Sequence, residues 1–406
     1  MRRAALVGLA SLAVLVPVVP ALSATPTADP VGACSWGAKS DPDAVNVAYP
    51  DTNASYWLAR YYAEPGMKLV VSGTYPKARY FSFHVYQPSG VPLDSLYDAQ
   101  IAPDKGSANP FVAKVPTGMS RHYTLTVDFA AKPKKPAANT MYGGVTGISG
   151  APNPAGLLML RVYVPDNVKS AEGGVPLPKV TLETADGQPV TGGDACSNSL
   201  PKTGAGVNQA ITSNSFPSSS PEQNPTAKPT WKRAYGNAYY GAFGNQQNAY
   251  LTASISRRFG DLVVIHGKAP RFPDTRRGVA PYIPSDVRYW SFCQNSNSTR
   301  VNSCAADFEA HVKDGYYTYV ISDPSQRPAN GTANDGVAWL PWGATDTTAV
   351  VIYRNMLVSP EFHHAVQDVG QGQDPKKVMG AYFPNAVYCS KAIFQKGGWK
   401  ACFYRQ

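Results

Sequence analysis

Six histidines in 406 residues can be weighed one at a time. His84 shares a strand face with Tyr86 by the two-residue period, where it could serve as a base or a ligand. In the internal repeat set out below, its register partner is Cys293, so the two copies share no catalytic role at this position. His266 precedes Gly267 where the other copy has Ser72, and again the copies disagree. His363 and His364, with Glu361 and Asp368, suggest a metal cluster. Adjacent residues on a helix point about 100° apart, however, so both rings cannot easily face one ion. The His-Glu-x-x-His pattern is absent, and His364 with Asp368 is expected to form a surface pair four residues apart. No metal and no cofactor are expected.

Other reacting groups are scarcer still. The sequence has no Gly-x-Ser-x-Gly elbow, no phosphate-binding loop and no dinucleotide fingerprint. Asp307 with Glu309, or Asp94 with Asp98, could pair for glycoside cleavage; on a strand, residues two apart share a face. Aromatic residues offer more. Trp339 and Trp342 bracket Leu340-Pro341 in what reads as a turn, where large rings stack on sugars or lipid chains or plug the end of a fold. Trp290 and Arg288, on a strand of the same half, complete the candidate ligand-binding set.

The elements that must hold these residues are strands. Phe81, Phe83 and Val85 fall on one face of Tyr80 to Tyr86, and Tyr123, Leu125, Val127 and Phe129 on one face of His122 to Phe129. Tyr317 to Ile321 answers the latter in the second half, and Ala349 to Tyr353 answers the apolar run Leu157 to Val164. With 35 glycines, 36 prolines and only 16% charged residues, the composition excludes a coiled coil, a helical bundle and a charge-driven disordered chain. One helix is expected, capped by Ser359-Pro360-Glu361 and running through Phe362 to Asp368.

The halves repeat each other. Asn53-Ala54, then Leu69-Val70-Val71-Ser72-Gly73-Thr74-Tyr75-Pro76, then Arg79-Tyr80-Phe81-Ser82-Phe83 is matched by Asn248-Ala249, Val263 to Pro270 and Arg288-Tyr289-Trp290-Ser291-Phe292. The Asn-to-Gly spacing is 20 in one copy and 19 in the other. Between the copies, Ser213 to Pro229 is polar and proline-rich and reads as a linker. Residues 1–24, with Arg2, Arg3 and an apolar run broken by Pro17 and Pro20, read as a secretory signal rather than a membrane anchor. The expected organisation is all-β: two similar antiparallel β-sandwich or jelly-roll domains, 25–197 and 231–406, joined by the Pro/Ser-rich linker 198–230.

Six cysteines in an exported chain read as disulfides. Cys293 with Cys304 and Cys389 with Cys402 are close enough for local closures, which leaves Cys34 with Cys196 to bracket the first domain.

The strand Arg288 to Ser291, the Trp339-Leu340-Pro341 segment and the apolar strand Ala349 to Tyr353 occur in the order found in the exported bacterial family called domain of unknown function 1214, a relative of 1254. The chain resembles two divergent copies of it, although the first half has Ala151-Pro-Asn-Pro154 in place of the tryptophan segment. The resemblance implies a β-sandwich and export, and no particular activity.

A net charge of +10, scattered rather than clustered, favours an anionic envelope polymer, glycan or lipid as partner over nucleic acid. No later segment could span a membrane once the signal is cleaved. The expectation is therefore a secreted, extracellular, non-catalytic binder. The alternative is a secreted hydrolase of envelope glycans, lipids or esters.

Overall fold

The computed structural model describes residues 36–37, 39–43, 45–62, 66–145, 150–153, 155–190, 225–234, 243–297, 299–343 and 346–404. The signal 1–24, Cys34, Cys196 and residues 198–224 of the linker lie outside these. The fold is mostly β, with four sheets and few helices.

In the N-terminal half the strands are β1 (Ala54–Tyr62), β2 (Lys68–Thr74), β3 (Ala78–Tyr86), β4 (Pro92–Tyr97), β5 (His122–Asp128), β6 (Thr140–Tyr142), β7 (Ala155–Pro165) and β8 (Lys179–Glu183). In the C-terminal half they are β9 (Lys232–Arg233), β10 (Asn248–Ser256), β11 (Leu262–Lys268), β12 (Val287–Asn295), β13 (Val301–Ala306), β14 (Tyr316–Ser322), β15 (Ala338–Pro341), β16 (Thr348–Val358) and β17 (Asn385–Cys389). Helices α1 (Pro375–Met379) and α2 (Lys391–Phe403) follow β16 and β17.

Sheet order exposes the duplication. The first half has β1-β7-β3-β4 and β6-β5-β2-β8; the second has β10-β16-β12-β13, extended by β9, and β15-β14-β11-β17. The two sets match strand for strand, with Arg79 to Phe83 on β3 and Arg288 to Phe292 on β12. Two pairs, β5 with β6 and β14 with β15, run parallel, so the sheets are partly mixed rather than wholly antiparallel.

Register corrects the repeat by one residue. Tyr56 faces Arg161 and Tyr250 faces Arg354, which makes Ala54 equivalent to Asn248. The apparent mismatch in spacing disappears, because each strand then begins the same distance before its glycine. That glycine has a shared reason. A Cβ at Gly73 would lie 2.6 Å from the Tyr123 hydroxyl, and one at Gly267 would lie 2.5 Å from that of Tyr317. In each half the hydroxyl end of a tyrosine from the neighbouring strand occupies the space that glycine leaves.

Each half has a buried cluster drawn from both of its sheets. Phe81, Phe83 and Leu160 meet Leu125, Val127 and Leu182 in the first, and Trp290, Phe292 and Tyr353 meet Tyr317, Tyr319 and Ile265 in the second. A third cluster joins the halves through Tyr80, Tyr86, Tyr163, Tyr289 and Met356. This is why β3 is buried along its whole length instead of alternating.

The helix expected from Ser359 does not form. Ser359 caps only a turn, accepting from the Glu361 amide at 3.3 Å, and a single 3₁₀ turn follows at Val366–Asp368. Asn355 supplies one reason. Its side-chain oxygen accepts the Val366 amide at 3.0 Å, a donor that a helix through Asp368 would pair internally, while the Arg233 guanidinium donates to the carbonyls of Val366, Gln367 and Val369 and fixes the end of the segment.

Candidate functional site

Most residues proposed from sequence are part of the framework. Trp290 is fully buried, with its indole N–H donating to the Pro270 carbonyl at 3.1 Å. Trp342 is 2% exposed and donates to the Asp346 carbonyl at 2.8 Å, under the guanidinium of Arg257. Trp339 lies on strand β15 rather than in a turn; it is half-buried, donates to Ser322 Oγ at 3.0 Å and is covered by Arg327. Asp307 and Glu309 occupy a 3₁₀ turn and do not converge: Asp307 pairs with Arg79, and Glu309 binds the Ala306 amide and the Asn53 side chain. Asp94 pairs with Lys132 at 2.7 Å and Asp98 with Arg288 at 3.3 Å. His364 stacks on Tyr382 rather than pairing with Asp368, whose carboxylate binds the Ala365 amide. Asp51 lies beside Cys293 and Cys304, but these two cysteines form a disulfide and offer no thiolate.

The two halves meet through reciprocal buried pairs. Arg79 of the first half binds Asp307 of the second, and Arg288 of the second binds Asp98 of the first at 3.3 Å. Each aspartate also accepts an amide from its own half, Trp290 N or Phe81 N, both at 3.1 Å. Burial pushes both carboxyls up to about 6, outweighing the opposing pull of the arginine in each case. Such equivalence defines a near-two-fold interface built from duplicated residues, and it explains where Arg288 is used.

A different site lies in the C-terminal half alone, in a cleft of about 970 Å³. His266 on β11 faces Thr318 on β14 across the ladder, with Nδ1 and the Thr318 hydroxyl 3.1 Å apart. The imidazole lies between two rings. Trp399 stacks on it at 3.6 Å and 15°, and Tyr316 at 5.3 Å and 8°. Burial lowers the His266 pKa to about 4, so the ring is neutral near pH 7. Phe403 and Tyr404 extend the wall, and Lys313, Lys376 and Lys400 line the cleft with Asp314 and Asp335.

Helix α2 makes this arrangement. Its N-cap Ser390 accepts from the Ile393 amide, and Gly397 and Gly398 break the helix before Trp399. Phe394 and Cys402 seat it over Leu262, Val264, Val320 and Val387 on the outer face of the β15-β14-β11-β17 sheet. The Cys389–Cys402 disulfide ties it to β17. At the equivalent outer-face positions β2 carries Lys68, Val70 and Ser72, so it offers no such apolar seat. Trp399, Tyr316 and Lys400 drew no attention in the sequence. Their signal was the uninterrupted apolar run Leu262 to Ile265, which demands cover on both faces of the strand.

Among solved structures, the chain is similar to an uncharacterized protein from Burkholderia cenocepacia, at 13% identity and a TM-score of 0.52, covering 89% of this chain and 84% of that one. It is also similar to the VPA0106 protein from Vibrio parahaemolyticus, at 11% identity and a TM-score of 0.41, covering 85% and 92%. At such identities the first likeness speaks for the fold alone, and the second carries no argument. No family model and no curated protein matches the chain. Among the described residues, no helix is long and apolar enough to cross a membrane.

Proposed function

We propose that this is a secreted, non-catalytic binder of an acidic extracellular or cell-envelope glycan, which it takes into the cleft of its C-terminal half. In this reading each half is a β-sandwich domain, 25–197 and 231–406, joined by the linker 198–230 and exported by the signal 1–24. The resemblance to domain of unknown function 1214 adds an exported setting. The observation that carries the proposal is the Trp399–His266–Tyr316 stack bordered by three lysines. Flat ring faces accept the C–H face of a sugar, and ammonium groups at the rim accept its carboxylate or phosphate. The neutral His266 makes the stack rigid without adding charge.

Titration of the protein with polygalacturonate and with neutral dextran, followed by tryptophan fluorescence, tests this. Saturable binding of the acidic polymer is expected, weakened roughly thirtyfold by Trp399→Ala, equivalent to about 2 kcal/mol for a central aromatic contact. Trp339→Ala should leave it unchanged. Equal affinity for dextran, no effect of Trp399→Ala, or turnover of the polymer would overturn the reading.

A further inference from the structure

Among the described residues, the duplicated interface contains an equivalent pair of buried arginines, one with a counter-charge and one without. Arg354 on β16 donates to Asp51 at 3.4 Å, to Cys293 Sγ at 2.6 Å and to the Tyr49 carbonyl at 2.7 Å. Asp51 also accepts from the hydroxyls of Tyr289 at 2.9 Å and Ser291 at 2.8 Å. Register places Arg161 on β7 at the equivalent position in the first half. It too is buried, and it too donates to a backbone carbonyl, that of Phe243.

Asn245 replaces the aspartate. Asp51 and Asn245 occupy the same turn: each side-chain Oδ1 accepts from the amide two residues on, at 3.0 Å from Asn53 and 2.9 Å from Gln247. Each also receives a tyrosine hydroxyl from the opposite half, Tyr289 in one case and Tyr80, at 3.4 Å, in the other. With its Oδ1 so occupied, Asn245 is 1% exposed beside the His84 ring, and among the described residues its amide nitrogen has no well-formed hydrogen-bond partner; neither has Nε of Arg161. The other partners of Arg161 are neutral: it donates to the Tyr86 hydroxyl, and its guanidinium lies over the rings of Tyr56 at 5.3 Å and Tyr86 at 5.9 Å. His84 adds no charge of its own, since its Nε2 accepts from the Gln246 amide at 3.3 Å and burial holds it neutral. A buried guanidinium whose partners are all neutral is costly unless something negative accompanies it.

We propose that a small monovalent anion of chloride size binds between the halves on Arg161 and the amide of Asn245, supplying the charge that Asp51 supplies to Arg354. Thermal unfolding of the intact protein at fixed ionic strength, in chloride, bromide, formate or bulky gluconate, is the test. The midpoint should stand roughly 2–4 °C higher in an anion that fits than in gluconate. The formate arm separates a carboxylate from a halide as the bound species. Asn245→Asp places a carboxylate at the site and should abolish the dependence. Chlorine NMR of the natural chain gives an answer that needs no variant, with protein-dependent line broadening removed by the competing anion. Equal midpoints in all anions without any such broadening, or full anion dependence in Asn245→Asp, would overturn the proposal.

Discussion

Removing the Cys389–Cys402 disulfide should open the cleft and leave the rest of the molecule folded. The two cysteines are 13 residues apart, and cross-linking a loop of that size is worth about 3 kcal/mol in the chain-entropy account. Few other forces hold α2. A helix of 13 residues interrupted at Gly397 and Gly398 has little stability of its own, and of its apolar side chains only Phe394 and Cys402 are fully buried. The double variant Cys389→Ser, Cys402→Ser should therefore release α2 locally. Amide exchange in 391–403 should speed up by roughly a hundredfold, the kinetic counterpart of about 3 kcal/mol, while the amides of β12 and β16 keep their protection. Because Trp399 rides on α2, its stacking on His266 and the affinity for acidic polymer should fall together. Unchanged exchange across α2 with both thiols removed would refute this reasoning, since packing alone would then hold the ring stack.

Two further outcomes follow from the duplicated core. Asp98 and Asp307 have folded pKa values raised to about 6 against roughly 3.9 for a free aspartate, so each gives stability that is complete below pH 4 and is lost as pH rises through 6, about 3 kcal/mol apiece; urea midpoints should rise as pH falls from 7 towards 5, and Asp98→Asn with Asp307→Asn should flatten that slope. Gly267→Ala should cost about 1–3 kcal/mol in urea unfolding and more than Gly73→Ala, because its Cβ would also meet the Phe383 carbonyl at 2.9 Å where Gly73 meets only a proline side chain at 3.2 Å; equal costs would show that the tyrosine alone sets the limit.

What the sequence disclosed, and what it hid, divides along physical lines. Period-two alternation made β5 legible because only one of its faces is buried. The Gly-x-x-Pro and Arg-Tyr-aromatic-Ser-Phe blocks were legible because equivalent neighbours constrain both copies. The Ser359 helix failed because a cap is a local signal, whereas the Val366 amide, which a helix would pair internally, is taken by Asn355 of β16. Trp290 and Trp342 were read as available rings, yet Trp290 on β12 and Trp342 just past β15 both point into the core cluster of the C-terminal half. Trp399 escaped notice for the opposite reason: two glycines precede it, and nothing local says that a disulfide will press it against a histidine 133 positions earlier in the chain.

Comparing the halves also shows where a function can reside. Whatever the two copies share, namely Arg79 and Arg288 on opposite aspartates, Tyr80 and Tyr289 on opposite turns, and a glycine under a tyrosine, is buried in the core or between the halves. Shared features of this kind cannot meet a polymer without taking the molecule apart, so they account for folding and for the interface. Three of the described features that one half has and the other lacks are the Cys293–Cys304 bridge, the Asp51 charge and the α2 cleft. The first two are inside and adjust the packing of one side of the interface against the other. Of these three, the last opens to solvent with rings and cations together. On the proposed function, the C-terminal copy presents the binding surface and the other copy acts as its support.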